Sequence, residues 1–205
     1  MTIHASTLTL LGGAPCLDFV NTKNWSAGDK PYDFFKDYDF LLAWNLQLGL
    51  ISPPQAEELL KLAGQQGQRA QATLEQARLL RETIYRIFAA IANAQEVPPA
   101  DLKRFNDAWN TALENLQVLS DDETFRWGWV GTNQALDSVF WPVLHSAAEL
   151  LISEKLNRIR DCDGCGWLFL DTTKGGRRRW CDMRLCGNRA KSKRHYARGK
   201  AGMTQ

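Results

Sequence analysis

Four cysteines in the last quarter of this chain have the residue type and the spacing that a metal site requires. They form two short pairs, Cys162-x2-Cys165 and Cys181-x4-Cys186, with 15 residues between the pairs. Two such pairs at this separation are typical of a tetrahedral zinc site with four sulfur ligands. Because four thiolates leave no open coordination position, we predict one Zn²⁺ with a structural role, bound by Cys162, Cys165, Cys181 and Cys186.

The charge of the chain is divided unequally around this cysteine cluster. Residues 1–157 contain 12 Lys+Arg and 19 Asp+Glu, a net charge of −7, whereas residues 158–205 contain 13 Lys+Arg and 4 Asp, a net charge of +9. Such segregation favours an acidic partner for the C-terminal segment, and DNA is the partner that we predict. Two alternatives stay open: an acidic protein surface, or charges that serve solubility alone.

The basic residues follow a stripe along a helix that we predict from Cys186 onward. At about 100° per residue, side chains three or four positions apart share one side of a helix. A stripe of this kind suits phosphate contacts, and Arg184 and Asn188 could read base edges in a groove. A second basic row precedes Cys181. The predicted nucleic-acid-binding residues are therefore Arg177, Arg178, Arg179, Arg184, Asn188, Lys191, Arg194 and Arg198.

The elements that must position the cysteines are predicted as a small hairpin and this helix. The pattern indicates a strand at 167–171, a turn at 172–176 and a returning strand at 177–180. Upstream, apolar residues at helical spacing predict helices at 38–48, 53–64, 69–93, 101–116 and 136–151, with a hairpin at 118–130. Pro142 either kinks the last of these helices or lies in its first turn.

The N-terminal segment is predicted as a strand at 6–11, a turn at Gly12-Gly13 and a returning strand at 15–22. The predicted fold is thus mainly α. A helical domain at 1–157 with one or two small β-hairpins precedes a treble-clef or ribbon-like four-cysteine zinc finger, a β-hairpin plus a helix, at 158–200. A tail of residues 201–205 follows.

Two motifs resemble known families. The segment from Arg178 to Lys191, with Cys186-Gly-Asn-Arg inside it, resembles the CGNR zinc finger, and the segment around Cys162-x2-Cys165-Gly-Trp fits the same pattern. Gly12-Gly13 followed by Cys-Leu-Asp-Phe-Val-Asn-Thr resembles the ABATE domain that usually precedes this finger. The resemblance implies a bacterial transcription regulator linked to stress, with the four cysteines as zinc ligands.

Asp18 and Asn21 are polar residues in an otherwise apolar motif, so they need partners if they are buried. One interpretation is that they cap a helix or pair with an arginine such as Arg78 or Arg81. The other is that these four residues line a small-molecule pocket that tunes the finger, which would make the protein a one-component sensor.

The remaining sequence features favour a non-enzyme in the cytoplasm. The three histidines, His4, His145 and His195, form no catalytic or metal-binding motif, and a secretory signal or membrane span is not predicted. We predict a zinc-dependent DNA-binding transcription regulator, with a protein-interaction adaptor that does not bind DNA as the alternative. A homodimer would suit a regulator because paired half-sites raise specificity, although nothing in the sequence marks an interface.

Overall fold

The computed structural model describes residues 8–25 and 32–193 of the chain. Within these residues we label six α-helices and four β-strands. Short 3₁₀ turns lie at Leu136–Phe140 and Leu156–Arg158, and a π-helical turn at Met183–Gly187 continues as α-helix over 188–193. We call residues 183–193 the finger helix. The elements are α1 (Pro15–Val20), α2 (Tyr38–Gln47), α3 (Pro53–Gln65), α4 (Gly67–Ala92), α5 (Pro99–Leu113), β1 (Leu116–Asp121), β2 (Thr124–Trp129), α6 (Trp141–Leu151), β3 (Ile159–Asp161) and β4 (Leu168–Leu170).

Helix α4 is the central element of the molecule. It is 26 residues long and packs against α1, α2, α3, α5 and both strands of the C-terminal hairpin. Its apolar residues recur every three or four positions, which places them on one buried face. The largest of them are Leu74, Leu80, Ile84, Ile87 and Phe88. The predicted mainly helical fold is confirmed.

Local sequence signals set several helix ends as predicted. Ser52 accepts a hydrogen bond from the Gln55 amide and Pro53 occupies the first turn of α3. Asp37 caps α2 in the same way by accepting from the Phe40 amide. Pro142 lies in the first turn of α6, after a 3₁₀ turn, so the second of its two predicted positions is correct.

The predicted strand at 15–22 is wrong, because Pro15–Val20 form the helix α1. This segment is apolar at almost every position and only six residues long, so its periodicity cannot separate a buried strand from a buried helix. Pro15 in the first turn was the helix signal. Residues 8–11 form no strand, and Ser6 and Thr7 lie outside the described residues.

The predicted hairpin near residues 118–130 is confirmed as the antiparallel pair β1–β2. Asp122 at its tip has a φ of +45°, as a tight two-residue turn requires. Trp129 anchors the base of the hairpin against Trp141, while Phe125 and Trp127 are exposed.

The C-terminal hairpin is paired differently from the prediction. The strand near 167–171 exists as β4, but it pairs with β3 upstream of the first cysteine, and residues 177–180 form no strand. The Cys162–Cys165 segment is therefore the turn of this hairpin. The other edge of β4 is occupied by the helical domain: the Leu170 amide donates to the Gly12 carbonyl, and Asn21 binds both backbone polar groups of Leu168. A strand at 177–180 would find both edges of β4 already occupied.

Alternate residues of the hairpin belong to two cores, as the pleat of a strand dictates. Ile159, Leu168 and Leu170 are buried in the core of the helical domain. Phe169 points the other way, into a small second core with three of the cysteines. Among the described residues, none of the helices is long and apolar enough to cross a membrane.

Candidate metal centre

The four predicted zinc ligands converge on one point. The Sγ atoms of Cys162, Cys165, Cys181 and Cys186 all lie within 4.8 Å of one another, and both the Cys165–Cys181 and the Cys181–Cys186 Sγ distances are 3.7 Å. A tetrahedral zinc with Zn–S bonds of about 2.3 Å places its sulfurs about 3.8 Å apart. A disulfide would need a distance of about 2.05 Å. The donor set therefore fits one structural Zn²⁺.

Glycines beside the first cysteine pair allow the two pairs of the centre to approach each other closely. A Cβ at Gly164 would lie only 3.0 Å from the Cβ of Cys186, so a side chain there would push the two halves of the site apart. Gly166 has a φ of +71°, which is a left-handed conformation that favours glycine. The amide of Cys181 donates to the Cys162 sulfur at 3.3 Å, as backbone amides do around thiolate ligands.

The pKa values of the cysteine thiols also indicate that the four sulfurs need a bound cation to be ionised together. Hydrogen bonds with Cys165 and Cys181 hold the pKa of the Cys162 thiol well below its usual range. The hydrogen bond with Cys162 raises the pKa of the Cys165 thiol to about 12. Because thiolates repel one another at this distance, all four can be ionised only when a bound cation offsets their charge.

A buried carboxylate holds the loop between the two cysteine pairs. Asp171 is fully buried, and it accepts hydrogen bonds from the Thr173 amide and hydroxyl and from the Arg178 amide. Burial raises the pKa of this carboxyl, but these hydrogen bonds outweigh it and hold the pKa at about 2. Asp171 thus fixes residues 173–178 against the end of β4.

The predicted basic row 177–179 is split between two roles. Arg178 is half-buried; its guanidinium lies 4.7 Å from the centroid of the Phe169 ring and donates to the Cys181 carbonyl. Arg177 is exposed, and Arg179 is exposed beside Asp163, whose carboxylate accepts from its Nε at 2.7 Å. Arg178 therefore belongs to the packing of the finger, and its two neighbours belong to its surface.

Asp182 caps the finger helix: its carboxylate accepts hydrogen bonds from the Arg184 and Leu185 amides. Arg184, Asn188 and Lys191 are all exposed on this helix. The predicted contacts Arg194 and Arg198 lie outside the described residues.

The four residues of the predicted ligand pocket bind different groups of the protein. Asp18 accepts from the Gly12 amide at 2.8 Å, and burial raises the pKa of its carboxyl to about 6. Asn21 binds Leu168, while Arg81 binds Asp33 and Thr22, and Arg78 binds the Phe35 carbonyl. The structure thus gives Asp18, Asn21, Arg78 and Arg81 partners within the protein, and a ligand pocket stays a prediction.

Sequence reasoning missed the contribution of the helical domain to the finger. Asn21, Gly12 and Tyr85 all bind its backbone, the last through a hydrogen bond of 3.3 Å from its hydroxyl to the Gly166 carbonyl. The one available signal was Asn21 itself, a polar residue within an apolar motif. Its partner could not be read from the chain, because it lies 147 residues away.

The fold and the site define a helical domain that carries a structural four-cysteine zinc finger. Comparison with protein families agrees: residues 13–154 match ABATE, described as "Putative stress-induced transcription regulator", and residues 158–199 match the CGNR zinc finger. The chain therefore belongs to the ABATE family and carries a CGNR zinc finger. A comparison with curated proteins found no match. Neither family description names an enzymatic activity.

Proposed function

We propose that this protein is a zinc-dependent transcription regulator that binds DNA through the exposed basic surface of its finger. The observation that carries the proposal is a set of exposed cations without acidic partners. Within the described part of the finger, these are Lys174, Arg177, Arg184, Lys191 and Lys193.

The finger has four carboxylates, and three of them are already engaged within the finger. Asp171 binds the loop, Asp182 caps the finger helix, and Asp163 binds Arg179. The positive charge of the surface is thus left uncompensated by the finger itself, which is the arrangement that phosphate binding requires.

We propose that phosphate contacts come from the exposed cations Arg177, Arg179, Arg184 and Lys191, and that Asn188 and Arg184 lie closest to the bases. Arg194 and Arg198, which lie outside the described residues, stay predicted contacts. Arg178 is set apart from this group because its guanidinium packs on Phe169. Its replacement should act through the stability of the finger.

The test begins with zinc-loaded protein and fragmented bacterial genomic DNA, from which bound fragments are recovered and sequenced. Affinity for the recovered sequence is then measured over a range of salt concentrations. The variant Arg177→Ala/Lys191→Ala should reduce the slope of log K against log salt by about two, since each phosphate contact contributes about 0.9. The matched control is Lys61→Ala/Lys155→Ala, which removes two exposed cations from the helical domain and should leave the slope unchanged.

Failure to enrich any sequence, with zinc bound, would overturn the DNA-binding proposal. The adaptor function would then be favoured, and one observation supports it: Met183 and Leu185 of the finger helix are 48% and 55% exposed beside the cations. A recovered site made of two equal half-sites would in turn support the homodimer, which stays a prediction.

A further inference from the structure

The second strand of the finger is held by the helical domain on the edge that faces away from β3. The side-chain amide of Asn21 donates to the Leu168 carbonyl at 2.8 Å, and its oxygen accepts from the Leu168 amide at 3.0 Å. Two residues further along, the Leu170 amide donates to the Gly12 carbonyl at 2.8 Å. Asn21 and Gly12 therefore occupy the positions that a third strand would fill.

The segment that makes these contacts is itself fixed in place. Asp18 accepts from the Gly12 amide, so the turn before α1 is tied to the helix that carries Asn21. Gly13 has a φ of +78°, and a Cβ added there would lie 3.3 Å from the Cβ of Leu170. The turn thus combines a left-handed backbone with a close approach to β4, and glycine meets both demands.

The strand that Asn21 holds leads directly to the metal ligands. Leu168 is three residues from Cys165, and Trp167, the residue between Gly166 and Leu168, accepts a hydrogen bond from the Cys162 amide through its carbonyl at 2.9 Å. A shift of Leu168 along its strand would move this carbonyl and, with it, the first pair of sulfurs. The position of β4 is therefore coupled to the geometry of the zinc centre.

We propose that Asn21 is a positioning residue of the zinc centre: it holds β4 in register, so that the finger of this protein keeps its metal only when docked on the helical domain. The proposal concerns the metal centre and does not depend on DNA binding. Both side-chain hydrogen bonds described above for Asn21 are to the backbone of Leu168, so we infer that it acts on the metal centre through that residue.

The test measures zinc release from the full-length protein to a chromophoric chelator. Asn21→Ala removes two hydrogen bonds to a buried backbone, which should speed zinc release about ten-fold or more. The matched control is Asn45→Ala, because Asn45 is equally buried but bonds only to the Leu41 carbonyl within its own helix. Both variants are compared at a temperature where their far-UV circular dichroism shows the helices intact. Equal release from the two variants and the wild type would overturn the proposal.

A second measurement needs no variant, so it decides the matter even if Asn21→Ala does not fold. Amide hydrogen exchange of the wild-type protein is followed with zinc bound and after chelation. If the two parts hold each other, chelation speeds exchange in α1 as well as at Leu168 and Leu170. Faster exchange confined to 159–193, with α1 still protected, would show a finger that folds independently and would contradict the proposal.

Discussion

At the scale of single residues, the two polar residues of the N-terminal motif have separate roles. The uncharged side chain of Asn21 hydrogen-bonds to Leu168 at the edge of β4, whereas Asp18 is an acid that is 8% exposed. Burial raises the pKa of the Asp18 carboxyl from 3.8 to about 6, although the hydrogen bond from Gly12 opposes the shift. The folded protein therefore binds a proton in the interval from about pH 4 to pH 6 that the unfolded chain has already released.

This shift predicts how stability depends on pH. Because the folded state holds the extra proton, the contribution of Asp18 to the free energy of unfolding decreases as pH rises from 4 to 6, by about 3 kcal/mol in total. The substitution Asp18→Asn keeps an oxygen for the Gly12 amide and removes the charge. We expect the melting temperature of this variant, relative to wild type, to increase between pH 5 and pH 7.5.

The comparison is made with zinc present at each pH, so that protonation of the cysteines affects both proteins equally. Asp107→Asn, at a residue whose side chain is 62% exposed, is the control for the loss of a carboxylate at the surface. A difference for Asp18→Asn that does not change with pH would mean that the Asp18 carboxyl is not perturbed by burial.

The metal ligands show what single residues can reveal before a structure is known. Zinc ligation depends on thiol type and short spacing, so the cysteine pairs at 162–165 and 181–186 were predictable from the sequence alone. The packing of Arg178 into the finger was not predictable in this way. It lies in a row of three arginines that the sequence cannot distinguish, and only the position of the Phe169 ring separates it from Arg177.

At the scale of elements, the errors in prediction occurred where a tertiary contact decides the outcome. The strand β4 was predicted, but its partner was not, because the edge that would have received residues 177–180 is covered by Asn21 and Gly12. The helices α2 to α6 were found because each is at least ten residues long, which gives an apolar pattern room to repeat. Helix α1 has fewer than two turns, so its pattern was too short to identify it.

The loop that replaces the predicted strand allows a test of its two kinds of arginine. Arg178→Ala removes a cation–π contact and a hydrogen bond to the Cys181 carbonyl, and we expect it to lower the free energy of unfolding by about 1–2 kcal/mol. Arg177→Ala should leave stability unchanged and reduce DNA affinity. Urea denaturation of the zinc-loaded variants, with DNA titrations of each, measures both effects. If the two variants are equally stable, Arg178 does not brace the finger.

At the scale of the whole molecule, the finger and the helical domain share one core. Ile159, Leu168 and Leu170 of the finger hairpin are 1%, 0% and 8% exposed in that core, and the central helix α4 contacts both strands. The sequence could not show this, because its charge changes sign between the two parts and indicates separate modules. Burial of alternate hairpin residues in the two cores instead makes the hairpin common to both parts.

A shared core predicts cooperative unfolding. Heating the zinc-loaded protein should give one transition, with loss of helical circular dichroism and release of zinc at the same temperature.

The same coupling predicts that zinc stabilises the helices. Because zinc binds only the folded site, free zinc at about 100 times its dissociation constant adds about 2.7 kcal/mol to the free energy of unfolding, which corresponds to a rise of about 5–10 °C in the melting temperature. This rise should be seen in the helical signal, although none of the four ligands lies in α1 to α6. Zinc release well below the helical transition would show that the core shared through β3 and β4 does not couple the two parts. Coincident transitions in wild type that separate in Asn21→Ala would place the coupling at the edge of β4.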